Sequence, residues 1–121
     1  MVLILGGTGA GKRSFARSLG YSEGEMSCRA EDACPVFVHL EQVLREDPSR
    51  ADGMLEPLCR KELVLCCEVG SGIVPLDPKE RLAREATGRL CVLLARRADA
   101  VVRVVAGIPV AIKGTLPCGR C

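Results

Sequence analysis

The hydrophobic residues of this chain fall into short, nearly unbroken runs separated by more polar segments. The runs occupy residues 2–5, 36–39, 63–67, 100–106 and 110–113. Apolar runs of this length are typical of strands buried on both faces of a sheet. Five strands are therefore predicted. The last is expected at a sheet edge, because Gly107–Pro109 turns the chain directly before it.

Helices are predicted between these strands. One is expected over residues 12–19, and another runs from the second strand to about Asp47, where a proline ends it. Residues 21–35 are polar and show no periodicity, so they are predicted to form a loop. Residues 48–60 are predicted to be a linker with about one helical turn near 54–59.

The strongest helix signal lies between the third and fourth strands. Asp77 can cap this helix, Pro78 suits its first turn, and Glu80 completes a start that resembles a capping box. The helix is predicted to continue to about Ala98. Its inward-facing positions are predicted from their spacing to be Leu82, Ala86, Leu90, Leu93 and Leu94.

Strands that alternate with helices predict the fold class. The expected fold is α/β, with a mainly parallel sheet covered by helices on both faces. A chain of 121 residues is expected to form one domain. Residues 1–114 are assigned to that domain and residues 115–121 to a C-terminal tail.

The segment between the first strand and the first helix is rich in glycine. It follows the pattern G-x-x-x-x-G-K of a phosphate-binding loop and consists of Gly6, Gly7, Thr8, Gly9, Ala10, Gly11 and Lys12. In such loops the backbone N–H groups approach phosphate oxygens closely, and the helix N-terminus favours negative charge. Lys12 is expected to neutralise the β- and γ-phosphates. The sequence therefore predicts a nucleotide-binding site at this loop.

The next two residues depart from the usual pattern. The position after Lys12 normally carries a hydroxyl that coordinates Mg²⁺, but here it is Arg13, with Ser14 one place later. Ser14 lies about 100° further round the helix, so it reaches a Mg²⁺ ion only if the first turn is distorted. The side chain of Arg13 either offsets phosphate charge or points into solvent.

A second distinctive segment, E-V-G-S-G-I-V-P, runs from Glu68 to Pro75 directly after the third strand. Ligands of open α/β sheets bind at the carboxyl edge of the strands. Glu68 could there hold a metal-bound water or act as a base toward a hydroxyl. Together with the glycine loop and the final V-V-A-G-I-P segment, it resembles the adenosylcobinamide kinase / adenosylcobinamide-phosphate guanylyltransferase family of cobalamin biosynthesis.

That resemblance implies a three-layer fold of the P-loop kinase type, a function and a set of site residues. Members of the family phosphorylate adenosylcobinamide with GTP or ATP and then transfer GMP to the phosphate through a guanylylated histidine. Gly6–Lys12 carry over as the nucleotide cradle, with Lys12 and Glu68 as catalytic residues. Gly70–Pro75 carry over as a supporting loop. Ser14 and Glu68 are the candidate Mg²⁺ ligands.

All departures from the family pattern lie at positions that the family uses for its chemistry. Arg13 stands in place of a serine, His39 in place of an aspartate, and Cys67 in place of an asparagine. The family's guanylylated histidine belongs to a segment before the second strand, and residues 21–35 are too short to contain it. Guanylyl transfer is therefore doubtful for this chain.

Two roles are considered for His39, the single histidine. It either accepts GMP or a metal ion, or it is a hydrogen-bonded histidine at a strand end. Glu41, two residues later, is a candidate to supply the acid that the aspartate would have provided.

Charge and hydropathy argue against some classes of binding partner, and cysteine usage bears on the cellular compartment. The formal charge of +2 is too small and too dispersed for a nucleic-acid surface, and no apolar run is long enough for a membrane span. A cytoplasmic protein with reduced thiols is expected. Cys118 and Cys121 form a C-x-x-C pair, which is interpreted either as part of a zinc site or as a reduced pair in a frayed terminus. Exposed sheet edges favour a homo-oligomer.

Three functional hypotheses follow. The first is a shortened cobinamide kinase that binds a nucleotide and cobinamide. The second is a degenerate relative that binds nucleotide or corrinoid without turnover. The third is a small P-loop NTPase that acts on another substrate.

Overall fold

The computed structural model describes residues 1–68 and 77–117, which form a single six-stranded sheet with flanking helices. The strands are β1 (Val2–Gly6), β2 (Met26–Ser27), β3 (Val36–Phe37), β4 (Leu63–Cys67), β5 (Ala100–Val105) and β6 (Ile108–Lys113). The helices are α1 (Lys12–Ser18), α2 (Leu40–Glu46), α3 (Leu55–Cys59) and α4 (Pro78–Arg97), with 3₁₀ helices at Glu23–Glu25 and Pro48–Gly53.

The sheet is mainly parallel, which confirms the predicted α/β class. Its strand order is β2-β3-β4-β1-β5-β6, and among these described strands only β6 runs antiparallel to its neighbour. In the register of β1 with β4, Gly6 lies opposite Cys67. The loop after β1 and the residues after β4 therefore meet at one edge of the sheet, where ligands of such sheets bind.

Two hydrophobic cores lie on opposite faces of the sheet. On one face α2, α3 and α4 cover Leu3, Phe37 and Val64. On the other face α1 packs through Ala16 against Ile4. Coverage on both faces thus holds for the central strands. At the sheet edge, the apolar side chains Ile108, Val110 and Ile112 of strand β6 are exposed.

One short strand was not predicted. Met26–Ser27 lies inside the segment that was read as a loop, and it pairs with β3 at the sheet edge. A two-residue strand has no periodicity that the sequence could reveal. The loop prediction was therefore wrong at these residues, because the strand forms only through tertiary contacts. The segment after it is tied to the domain by the buried Lys61, whose Nζ donates to the carbonyl oxygens of Asp32 and Cys34 at 2.8 and 2.7 Å.

Helix α4 begins at the predicted residues, but the face that it buries differs from the predicted one. Asp77 accepts a hydrogen bond from the backbone N–H of Lys79, as a capping residue does. The buried positions are Ala83, Ala86, Thr87, Leu90 and Leu94. Leu82 and Leu93 are 55% and 41% exposed, so their predicted inward placement was wrong. Small residues let α4 pack closely on its neighbours and leave these two leucines beside the 3₁₀ helix Pro48–Gly53.

Truncation of adjacent leucines in α4 tests this orientation. Leu94 is fully buried, so Leu94→Ala should lower the free energy of unfolding by about 2–5 kcal/mol. Leu93→Ala removes the same atoms from an exposed position and should cost less than about 1 kcal/mol. Chemical denaturation of both variants measures the difference, and equal losses would contradict the orientation.

A pH dependence follows from the contacts of Asp32. Hydrogen bonds from Ser27 and Lys61 lower the pKa of this carboxyl below its ordinary value of 3.8. Its ionised form therefore stabilises the fold above about pH 4, and this stabilisation is lost as the pH falls through the lowered pKa. Unfolding curves of the parent and Asp32→Asn should differ most near neutral pH and converge in acid. A constant difference across that range would rule out the linkage.

Candidate functional site

The glycine loop between β1 and α1 is packed against the turn that joins β5 to β6. The N–H of Gly107 donates to the carbonyl oxygen of Ala10 at 2.8 Å. A Cβ atom on Gly6 would lie 2.8 Å from the carbonyl oxygen of Val104, and one on Gly11 would lie 3.2 Å from the Cα of Gly107. Gly9 and Gly11 also have positive φ angles of 74° and 101°. The loop conformation thus requires glycine for reasons of both space and backbone geometry.

Lys12 places its ammonium group at the mouth of this loop. Its Nζ donates to the carbonyl oxygens of Gly6 and Gly7 at 3.0 and 2.8 Å. It also lies 3.4 Å from the Sγ of Cys67, which is itself 3.8 Å from the hydroxyl of Thr8. The end of β4 therefore forms the opposite wall of the site, facing the loop.

These residues line a cavity of about 590 Å³. A volume of this size is within the range of small-molecule and cofactor pockets. The cavity extends from the loop to α2 and the first half of α4, and charged groups of both signs line it. They are Lys12, Arg13, Arg45, Arg84, Glu41, Glu68 and Glu80.

The two residues after Lys12 are engaged with neighbouring side chains. Arg13 donates to Glu23 at 2.6 Å, and Arg17 pairs with the same carboxylate. Hydrogen bonds from Arg17 and Arg13 hold the pKa of Glu23 below its ordinary value. Arg17 also donates to the hydroxyl of Ser14 at 3.0 Å. The roles of Arg13 toward phosphate and of Ser14 toward Mg²⁺ stay predictions.

Glu68 lies at the cavity beside a cationic partner. Its carboxylate pairs with Arg103 of β5, with N–O distances of 2.7 and 3.1 Å. The N–H of Glu68 donates to the carbonyl oxygen of Gly6, which ties it to the start of the loop. The predicted supporting segment Gly70–Pro75 lies outside the described residues. The catalytic role of Glu68 also stays a prediction.

His39 and Glu41 enter the cavity from the start of α2. His39 adopts a left-handed backbone, with φ 62° and ψ 40°, immediately before the helix. Glu41 is 10% exposed, and its Oε2 accepts a hydrogen bond of 3.1 Å from the N–H of Cys67. The sequence suggested Glu41 only as a substitute acid, from its place two residues beyond His39. The structure brings its carboxylate to the end of β4.

The six described cysteines are free thiols. Cys66 and Cys91 lie 3.7 Å apart beneath the site, and the hydrogen bond between them together with burial raises the pKa of Cys66. In residues 1–68 and 77–117, no three His, Cys, Asp or Glu side chains are grouped as ligands of a metal ion. The predicted Cys118 and Cys121 pair lies outside the described residues.

A strand, a glycine loop and a helix at the centre of a parallel sheet define a P-loop NTPase-like α/β protein. The family model described as cobinamide kinase / cobinamide phosphate guanyltransferase matches residues 36–112, and the chain belongs to this family. The resemblance seen in the sequence is thereby confirmed. The matched residues do not include the glycine loop, so the assignment of that loop depends on its pattern and geometry.

A curated relative agrees with the family. Over 79 residues the chain is 37% identical to the bifunctional adenosylcobalamin biosynthesis protein CobP of Pseudomonas aeruginosa. The matched part makes up 60% of this chain and 46% of that protein. The chain thus spans about half the length of the curated relative that it matches. Among the described residues, no helix is both long and apolar enough to cross a lipid bilayer.

Alanine substitutions at two glycines of the loop test its geometry. Gly11→Ala must adopt a φ near 101° and meet the backbone of Gly107, so it should cost at least about 1–2 kcal/mol of unfolding free energy. Gly7→Ala meets no atom within 4 Å and serves as the matched control. Thermal and chemical unfolding measure both, and a Gly11→Ala variant as stable as Gly7→Ala would contradict the described loop.

Proposed function

We propose that this chain binds GTP or ATP in the 590 Å³ cavity and acts as a cobinamide kinase-like protein of cobalamin biosynthesis. The observation that carries the proposal is the position of Lys12. Its ammonium group lies at the mouth of the glycine loop, 3.4 Å from the end of β4 and inside the cavity. A cation beside a glycine-rich loop at the start of a helix is the arrangement that polyphosphates bind.

Each side of the cavity has a proposed task. The glycine loop and the start of α1 cradle the β- and γ-phosphates, and Lys12 exchanges its carbonyl partners for phosphate oxygens. The wall formed by α2 and α4 accommodates the acceptor, which in this family is adenosylcobinamide. Its aminopropanol hydroxyl would attack the γ-phosphorus while the bond to the β–γ bridging oxygen breaks.

The carboxylates at the β4 end of the cavity are the candidates for receiving the hydroxyl proton. Glu68 was predicted for this role, and its pairing with Arg103 keeps the carboxylate fixed at the sheet edge. A divalent cation supplies charge neutralisation between the β- and γ-phosphates when it is bound. Positioning and charge stabilisation are the main contributions to phosphoryl transfer, so the rigid glycine loop is suited to this chemistry.

A second candidate function is nucleotide or corrinoid binding without turnover. The observation in its favour is that Arg13, at the usual Mg²⁺-binding position, is engaged with Glu23, and the hydroxyl of Ser14 with Arg17. A cation held poorly at this position would slow phosphoryl transfer. Guanylyl transfer is not part of either proposal, because residues 21–35 are too short for the segment that carries the family's guanylylated histidine, and His39 stands where the family pattern has an aspartate.

Nucleotide titration of a Lys12 variant tests the binding proposal. Lys12→Ala removes the cation that would contact the phosphates and should weaken GTP or ATP binding by about 10- to 100-fold in calorimetry. Arg50→Ala removes one positive charge from an exposed residue outside the cavity and should leave the affinity unchanged. Equal affinities of the parent and Lys12→Ala would refute the assignment of the loop.

Product analysis separates the two candidate functions. Incubation of concentrated protein with nucleotide, divalent cation and adenosylcobinamide should yield adenosylcobinamide phosphate and the nucleoside diphosphate. Binding without either product would support the second candidate. In that case the double variant Arg13→Ser/His39→Asp should gain turnover that the parent lacks.

A further inference from the structure

Glu41 is a carboxylate with an incomplete set of partners at the cavity wall. Its Oε2 accepts one hydrogen bond from Cys67, while its Oε1 faces the Nδ1 of His39 at 3.9 Å. Both side chains line the cavity that contains Lys12. Since a hydrogen bond rarely exceeds about 3.2 Å, the 3.9 Å separation leaves space between the two groups.

That space matches the geometry of two ligands on one metal ion. Metal–nitrogen and metal–oxygen bonds of first-row divalent ions are about 2.0–2.2 Å long, so two ligands of one ion lie between about 3 and 4.3 Å apart. The imidazole and the carboxylate can therefore meet the same ion with little movement. Two protein ligands are sufficient if phosphate oxygens and water complete the shell, as they do in many nucleotide sites.

The other candidate ligands are in cationic surroundings. Ser14 accepts a hydrogen bond from Arg17, and Glu68 is paired with Arg103. A divalent ion at either residue would lie close to a guanidinium group, at an electrostatic cost. Glu41 has no guanidinium partner among its described hydrogen bonds and ion pairs, which involve the N–H of Cys67 and the imidazole of His39.

The backbone conformation of His39 is a further observation that favours a functional role for this pair. Its left-handed conformation is uncommon for a residue other than glycine, and such conformations are concentrated at functional sites. Here the conformation ends the extended segment after β3 and starts α2 with the imidazole at the cavity.

From these observations we infer that Glu41 and His39 hold the divalent cation that accompanies the nucleotide, and that the imidazole makes the site prefer Mn²⁺ over Mg²⁺. Mg²⁺ favours oxygen ligands, whereas imidazole suits transition ions. This inference rests on the proposed nucleotide site and names its cation ligands. It replaces the predicted pairing of Ser14 with Glu68 for this task.

Electron paramagnetic resonance of Mn²⁺ in the presence of GTP tests the inference directly. The parent protein should bind Mn²⁺–GTP at least tenfold more tightly than Mg²⁺–GTP. Its spin-echo modulation should show one directly bound imidazole nitrogen. Glu41→Gln should lose at least tenfold in Mn²⁺ affinity. His39→Asp should lose the nitrogen signal and shift the preference toward Mg²⁺.

The experiment also includes a control variant, a Glu68 variant and a measurement in the presence of a chelator. Glu46→Gln, at an exposed carboxylate of α2 outside the cavity, is the matched control and should behave as the parent does. Full Mn²⁺ affinity in Glu41→Gln, or a loss confined to Glu68→Gln, would overturn the assignment. GTP binding in the presence of a chelator tests the proposed function separately. Binding there without any gain from Mn²⁺ overturns the cation site alone, and no GTP binding under any condition overturns the proposed function together with it.

Discussion

The site depends on the close approach of two backbone segments, the glycine loop and the turn between β5 and β6. Gly6 and Gly11 have no room for a side chain there, and the N–H of Gly107 is bonded to the loop at Ala10. This contact places the start of α1 beside the ends of β1 and β4. The register that sets Gly6 opposite Cys67 then brings Lys12 to the wall of the cavity.

Around this rigid centre, pairing between charged groups decides which side chains remain free for a ligand. Arg13 and Arg17 are bonded to Glu23, and Arg103 to Glu68. Exposed pairs of this kind contribute little to stability, but they fix where the charges lie.

Most of the fold could be predicted because its strands are apolar on both faces. Five runs of apolar residues corresponded to five of the six strands that the structure describes, and Asp77 and Pro78 marked the start of α4. The misses have a common cause. Strand β2 exists only because Met26 pairs with Val36, and the inward face of α4 was set by the close packing of Ala83 and Ala86. Neither effect has a local signal.

Like the fold, the candidate site has some features that the sequence predicts and others that depend on the tertiary structure. The sequence by itself determined the glycine loop, the helix that follows it and the family, because each depends on residue types at fixed spacing along the chain. Only the tertiary structure decided which charges face each other. Glu41 contacts the backbone of Cys67, which is 26 residues away, and Arg103 contacts Glu68 across 35 residues. Contacts between residues so far apart arise from the order and register of the strands, which no local pattern contains.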